Sequence, residues 1–181
     1  MQITQKAKLN IYSGVIEMIK GEYFINSIEL TKNTSDLAKT EHNDCVVRAF
    51  MAALDIPYDQ AHAWIKKSMN REDRKGTYTG QAIQKVEGKI KNGYKLSFMG
   101  VNPAKTHWKK MTGSNKILNN PKYKKQTGYT LKSFIENNPV GRFVLIVQGH
   151  AVAVVNGVLY ANTNENAIGL YRSVWFGWNC K

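Results

Sequence analysis

Gly149-His150-Ala151-Val152-Ala153-Val154-Val155-Asn156-Gly157-Val158-Leu159-Tyr160-Ala161-Asn162 is the stretch on which the fold turns. Two runs rich in Val flank Asn-Gly, the strongest short-range signal for a hairpin, and predict strands over 151–155 and 158–161. Residues 143–147, ahead of Gly149, read as a third strand, and a fourth is expected over 170–176. Four short strands punctuated by Gly and Asn-Gly predict an antiparallel sheet in the last third of the chain.

The hairpin carries an imidazole at its head, His150, and an amide at its tail, Asn162. Its register decides whether they meet. With a two-residue Asn156-Gly157 turn, Val155 faces Val158 and His150 faces Thr163, so Asn162 falls on the opposite face. With a three-residue loop over 155–157, closed by a bulge at Gly157, His150 lies opposite Asn162. Asn-Gly is compatible with both, and a partnership of the two side chains requires the second or an equivalent bulge.

Upstream of the sheet the periodicity is helical. Val46, Val47, Phe50, Met51, Ala53 and Leu54 predict a mostly apolar, interior helix to about Asp55, with Asn43 or Asp44 as its N-cap. A second helix is expected over 57–69, begun by a proline whose missing donor the first turn does not need. A short helix over 81–90, a strand over 94–99 and a capped helix over 130–136 complete the pattern. Residues 1–40 form a lead-in whose pattern does not choose between helix and strand. Helices followed by a sheet give an α+β class and a single domain over 1–181.

Cys45 stands at the mouth of the first of these helices. A free thiol is only a few per cent ionised at neutral pH, so a cysteine nucleophile needs a depressed pKa or an adjacent base. The unpaired N–H groups of a first helical turn favour thiolate, which leads to the expectation of a thiol more acidic than usual, while the Asp44 carboxylate opposes it. Of the four histidines, His62 lies among packing residues of the second helix and His107 in a basic stretch. His42 is three residues from the thiol, and His150 begins a buried strand after a glycine, where backbone can turn away.

The chain has 181 residues and a net charge of +13, and the charge is concentrated. From Lys85 to Lys132 there are twelve lysines and one acid, Glu87, which places +11 in that stretch. Within it, residues 100–128 read as a basic insertion. Its lysines, Lys109, Lys110, Lys116, Lys122, Lys124 and Lys125, interleaved with aromatics such as Trp108 and Tyr123, suit a nucleic acid or an acidic protein. No apolar run reaches the length of a membrane span and the first residues lack a signal-peptide core, so a cytoplasmic protein without a membrane partner is expected. The two cysteines are too few for a disulfide framework and lack the close ligand spacing of zinc sites, so no metal or organic cofactor is expected.

Cys45, His150 and Asn162, in that chain order, resemble the nucleophile, base and orienting amide of papain-like cysteine peptidases. The Gly149–Val155 stretch resembles the histidine strand of papain-like and bacteriocin-leader peptidases. Cys45-Val46-Val47-Arg48-Ala49 resembles the C-x-x-R-A helix start of ovarian-tumour-type deubiquitinases, and Asn43 to Asn162 as a whole is similar to small phage-type proteins. The resemblance implies a papain-like fold, a helical lobe with Cys45 packed on the sheet carrying His150, and thiol hydrolysis of a peptide, isopeptide or amide bond in a protein substrate. For a phage-encoded chain it implies the host cytoplasm. Papain relatives carry an oxyanion glutamine before the cysteine; residues 35–44 hold none, which leaves Asn43 and backbone N–H groups for that role. The same triad also supports acyl transfer or deamidation, and the chief alternative is a non-catalytic binding module using the lysines of 85–132.

Overall fold

A computed structural model describes residues 16–19, 22–100, 129–162 and 169–181. The lysines named above in the basic insertion lie outside the described residues, as do His107 and Thr163. In chain order the elements are β1 (Ile16–Ile19), β2 (Glu22–Asn26), α1 (Ser27–Thr31), α2 (Asp36–Thr40), α3 (Cys45–Leu54), α4 (Tyr58–Met69), α5 (Thr79–Val86), β3 (Ile90–Lys91), β4 (Tyr94–Gly100), α6 (Leu131–Asn137), β5 (Arg142–Val147), β6 (His150–Val155), β7 (Val158–Ala161) and β8 (Phe176–Cys180).

The class is α+β, with the strands in the order β1-β2-β7-β6-β5-β8-β4-β3. The sheet is mixed rather than antiparallel, because β2 from the lead-in adds to β7 in parallel, Phe24 beside Leu159 and Asn26 beside Ala161. The strand expected over 170–176 begins only at Phe176. Residues 172–174 instead hydrogen-bond to the start of α6, Leu131 N–H to Arg172 O and Val174 N–H to Tyr129 O. In β8, Phe176, Trp178 and Cys180 are buried, and Gly177 crosses β5 so closely that a Cβ there would collide with the Val144 carbonyl oxygen.

Each face of the sheet buries a separate apolar layer. α3 and α4 cover Val144, Ile146, Ala151, Ala153 and Trp178, with Phe50, Leu54 and Ile65 fully enclosed. α6 covers the other face through Leu131 and Phe134, against Leu145, Val152 and Val154. Alternate residues of β6 therefore serve opposite layers, as a period of two requires. The small side chains of Ala151 and Ala153 let α3 approach the strand, and that contact brings the start of α3 to the head of β6.

Candidate active site

The β6–β7 turn is the two-residue form. Val155 pairs with Val158 and Ala153 with Tyr160, and Asn156 and Gly157 both take positive φ, 49° and 77°. This is a type I′ turn, whose twist matches that of the strands it joins. It corrects the register that would set His150 directly opposite Asn162. Continued, the ladder would pair Ala151 with Asn162, but its paired residues stop at Tyr160 and the chain bends at Asn162. Asn162 comes to the site by that bend and by a contact with Asp44, Asn162 Nδ2 donating to Asp44 Oδ1 at 3.4 Å.

The bend has a consequence for Cys45. In the continued register the Ala151 N–H belongs to Asn162; with β7 turned away, it is left facing the thiol and favours the charged form of the sulfur. The Cys45 sulfur thus lies against the backbone of the residue that follows His150. It also has the N–H groups of Val46 and of Cys45 itself, the unpaired donors of the first turn of α3.

These donors do not make the thiol acidic. Burial pushes the Cys45 thiol above its ordinary value and Asp44 adds to the shift, while the Ala151, Val46 and Cys45 N–H groups only reduce it. The expected acidic thiol is therefore corrected: desolvation outweighs the helix start, because the half-buried sulfur packs against the layer beneath α3. His150 moves the other way. Burial and then the nearby Arg172 guanidinium lower its pKa, and Asp44 partly offsets them. At neutral pH the resting pair is a neutral thiol and a neutral imidazole.

Asp44 occupies the N-cap position of α3 without capping it. Its carboxylate is buried and committed elsewhere, Oδ2 accepting from Arg48 Nε at 2.8 Å and from the Tyr58 hydroxyl at 2.7 Å. Arg48 is fixed in turn by Ser27 O at 2.9 Å, Thr31 Oγ1 at 2.6 Å and Ala38 O at 3.2 Å, so α1 and α2 are tied to the start of α3. Burial, and then the bond to Asp44, raises the Tyr58 pKa and keeps its hydroxyl a donor. In the sequence Asp44 stands as a cap and as an opposing charge, not as a tether for Asn162. The i, i+4 spacing of Asp44 and Arg48 was its one visible signal.

Asn43, expected among the oxyanion donors, has φ 54° and gives its amide to the Arg74 carbonyl at 3.3 Å. A second buried nest stands on that side. Arg71 bonds Glu41 Oε2 at 2.5 Å and His62 Nε2 at 2.9 Å, and Glu41 also accepts from Arg74 N–H at 3.0 Å. Burial pushes the Glu41 carboxyl up, but these donors outweigh it and hold it below its ordinary value. Glu41, His62 and Asp73 have ligating atoms within 4.8 Å of one another. The Arg71 guanidinium sits on the His62 lone pair a cation would need, so the nest reads as a clamp on the segment before Cys45.

Among the described residues, six buried side-chain polar atoms have no hydrogen-bond partner, and His150 Nε2 and Asn162 Oδ1 are two of them. One is a donor in one imidazole tautomer and the other an acceptor, so each supplies what the other lacks. A cleft of about 480 Å³ opens between α1, α2 and the loop before Cys45, lined among others by Thr31, Lys39, His42, Asp44 and Asn162; of the three triad residues only Asn162 lines it. No helix is long and apolar enough to cross a membrane among the described residues. No known protein family, curated protein or solved structure matches the chain.

Proposed function

We propose that this chain is a papain-like thiol hydrolase that cleaves a peptide, isopeptide or amide bond in a protein substrate through an acyl-enzyme on Cys45. The observation that carries the reading is the pair of buried, unpartnered atoms, His150 Nε2 and Asn162 Oδ1, at the strand end whose next N–H faces the Cys45 thiol. Leaving two such atoms unsatisfied costs about 1–3 kcal/mol each, a cost that a hydrogen bond between them would recover.

In this reading Asn162 holds His150 as the Nε2–H tautomer, with the Nδ1 lone pair left for the thiol. His150 takes the thiol proton as sulfur attacks the carbonyl, so the ion pair forms during attack rather than standing at rest. Backbone N–H groups at the start of α3 receive the oxyanion; Asn43 is occupied by Arg74. The protonated imidazole gives its proton to the leaving amine, and water then releases the acyl group. Treating a cell lysate with the protein or with Cys45→Ala and comparing new peptide ends and mass shifts tests the reading. New ends made only by the cysteine form support hydrolysis, amine adducts indicate acyl transfer, and identical lysates overturn both.

A second reading, a binding module for nucleic acid or an acidic protein, draws on the concentration of charge in 85–132. It calls for an electrophoretic shift with steep salt dependence that Cys45→Ala leaves unchanged.

A further inference from the structure

The Asp44 carboxylate is divided in function. Oδ2 is saturated by Arg48 and Tyr58, which donate at 2.8 and 2.7 Å, while Oδ1 faces the Asn162 amide nitrogen. An amide has two unlike ends, and beside a carboxylate only the NH₂ end is tolerated, because two acceptors repel. Asp44 thus dictates which end of Asn162 points elsewhere, and that end, Oδ1, is buried without a partner among the described residues.

We propose that Asp44 is a positioning residue: it locks the Asn162 amide so that the carbonyl oxygen, and not the NH₂, is presented to His150. This rests on the hydrolase reading and adds to it a fourth residue, whose task is to fix the polarity of the third. The wrong amide end would donate to Nε2, favour the Nδ1–H tautomer and leave the imidazole without a lone pair for the thiol. The bonds from Arg48 and Tyr58 hold the Asp44 carboxylate in place, and its charge, paired within α3 by Arg48, sets the polarity at the end of β7.

Exchanging acid and amide tests this. In Asp44→Asn, Arg48 and Tyr58 still require an oxygen, so the new NH₂ faces residue 162. Asn162 must then turn its own oxygen toward position 44 and its NH₂ toward His150. The double variant Asp44→Asn/Asn162→Asp restores an acceptor on both sides. The readout is the tautomer of His150 by ¹⁵N NMR of the full chain, above the imidazole titration. Nε2–H is expected in the native protein, a shift to mainly Nδ1–H in Asp44→Asn, and a return to Nε2–H in the double variant. Tyr58→Phe removes one bond to Asp44 without touching Oδ1; it is expected to lower stability and leave the tautomer unchanged, which separates positioning from packing.

Native Nε2–H that Asp44→Asn does not alter overturns the positioning role alone. Native Nδ1–H overturns the triad reading and this proposal with it. Should Asp44→Asn fail to fold, the unsubstituted protein still decides: nuclear Overhauser contacts from the Asn162 NH₂ to the Arg48 side chain support the proposal, and their absence overturns it.

Discussion

Two thiols end up in the same apolar layer with different prospects. Cys180 lies in β8 opposite Leu96, 4% exposed, and burial pushes its thiol up to about 12 despite the opposing charge of Arg142. Cys45 is also raised by burial, but it opens α3, is half-buried, and has three backbone N–H groups limiting the rise. The difference lies in the backbone around each. A strand in mid-sheet has spent its N–H groups on its neighbours; a helix start has not, and at Ala151 the ladder itself has come open.

The widest separation is expected in turnover. Cys45→Ala should remove hydrolysis, by about 10⁶-fold where the nucleophile carries the chemistry, whereas Cys180→Ala should leave kcat within a few-fold. Equal losses in both, measured on one substrate, would dissolve the contrast between the two thiols.

Next come substitutions that break the surroundings of each cysteine. Gly177→Ala should cost about 3 kcal/mol or more by denaturant melting, since the new methyl meets the Val144 carbonyl and forces β8 away from β5. On the other side, Arg48→Ala leaves the buried Asp44 carboxylate without its cation and should cost about 3–5 kcal/mol. Loosening β8 should expose Cys180 to alkylation, while the Arg48 variant should instead alter the pH dependence of Cys45.

Stability against pH sharpens the comparison. His150 has a lowered pKa, so its contribution is present above the ordinary 6.5 and is lost as pH falls through the folded value. Both thiols have raised values, so theirs is present below the ordinary 9.0 and is lost as pH rises. Stability should therefore be highest between those limits. His150→Gln should flatten the acid side and Cys180→Ala the alkaline side in midpoint-against-pH curves. Glu41, held below its ordinary 4.5, adds an acid limb that His150→Gln leaves in place. The smallest effect is expected at the turn, where Asn156→Ala puts a side chain with little tolerance for positive φ at 49° and should cost about 1 kcal/mol.

α3 could be read from the chain because its signals are local: an apolar run follows polar residues and stops at Asp55. The same holds for β5 to β7, where strands and turn lie in consecutive residues. What escaped reading depended on distant partners. The parallel pairing of β2 with β7 joins residues far apart in sequence. Phe176, Trp178 and Cys180 alternate as a strand should, yet Leu170 to Trp175 offered a comparable run, and the backbone settled the matter by pairing Arg172 with Leu131 at the start of α6 and Val174 with Tyr129 just before it. Asn-Gly left the hairpin register open, and the match of twist selected the two-residue turn. Cys45, His150 and Asn162 stood out by type and order, but the residue that links the last of them to the helix start, Asp44, was visible only as a cap and as a charge opposing the thiolate.

The central claim is that His150 acts on Cys45, and the rate of Cys45 alkylation by iodoacetamide across pH, in the native protein and in His150→Ala, tests it most directly. The expected profile has a shoulder of reactivity near neutral pH that needs His150, followed by a second rise above the ordinary thiol range that does not. One and the same single rise above that range in both proteins would show a sulfur that ionises without the imidazole, and would contradict the account.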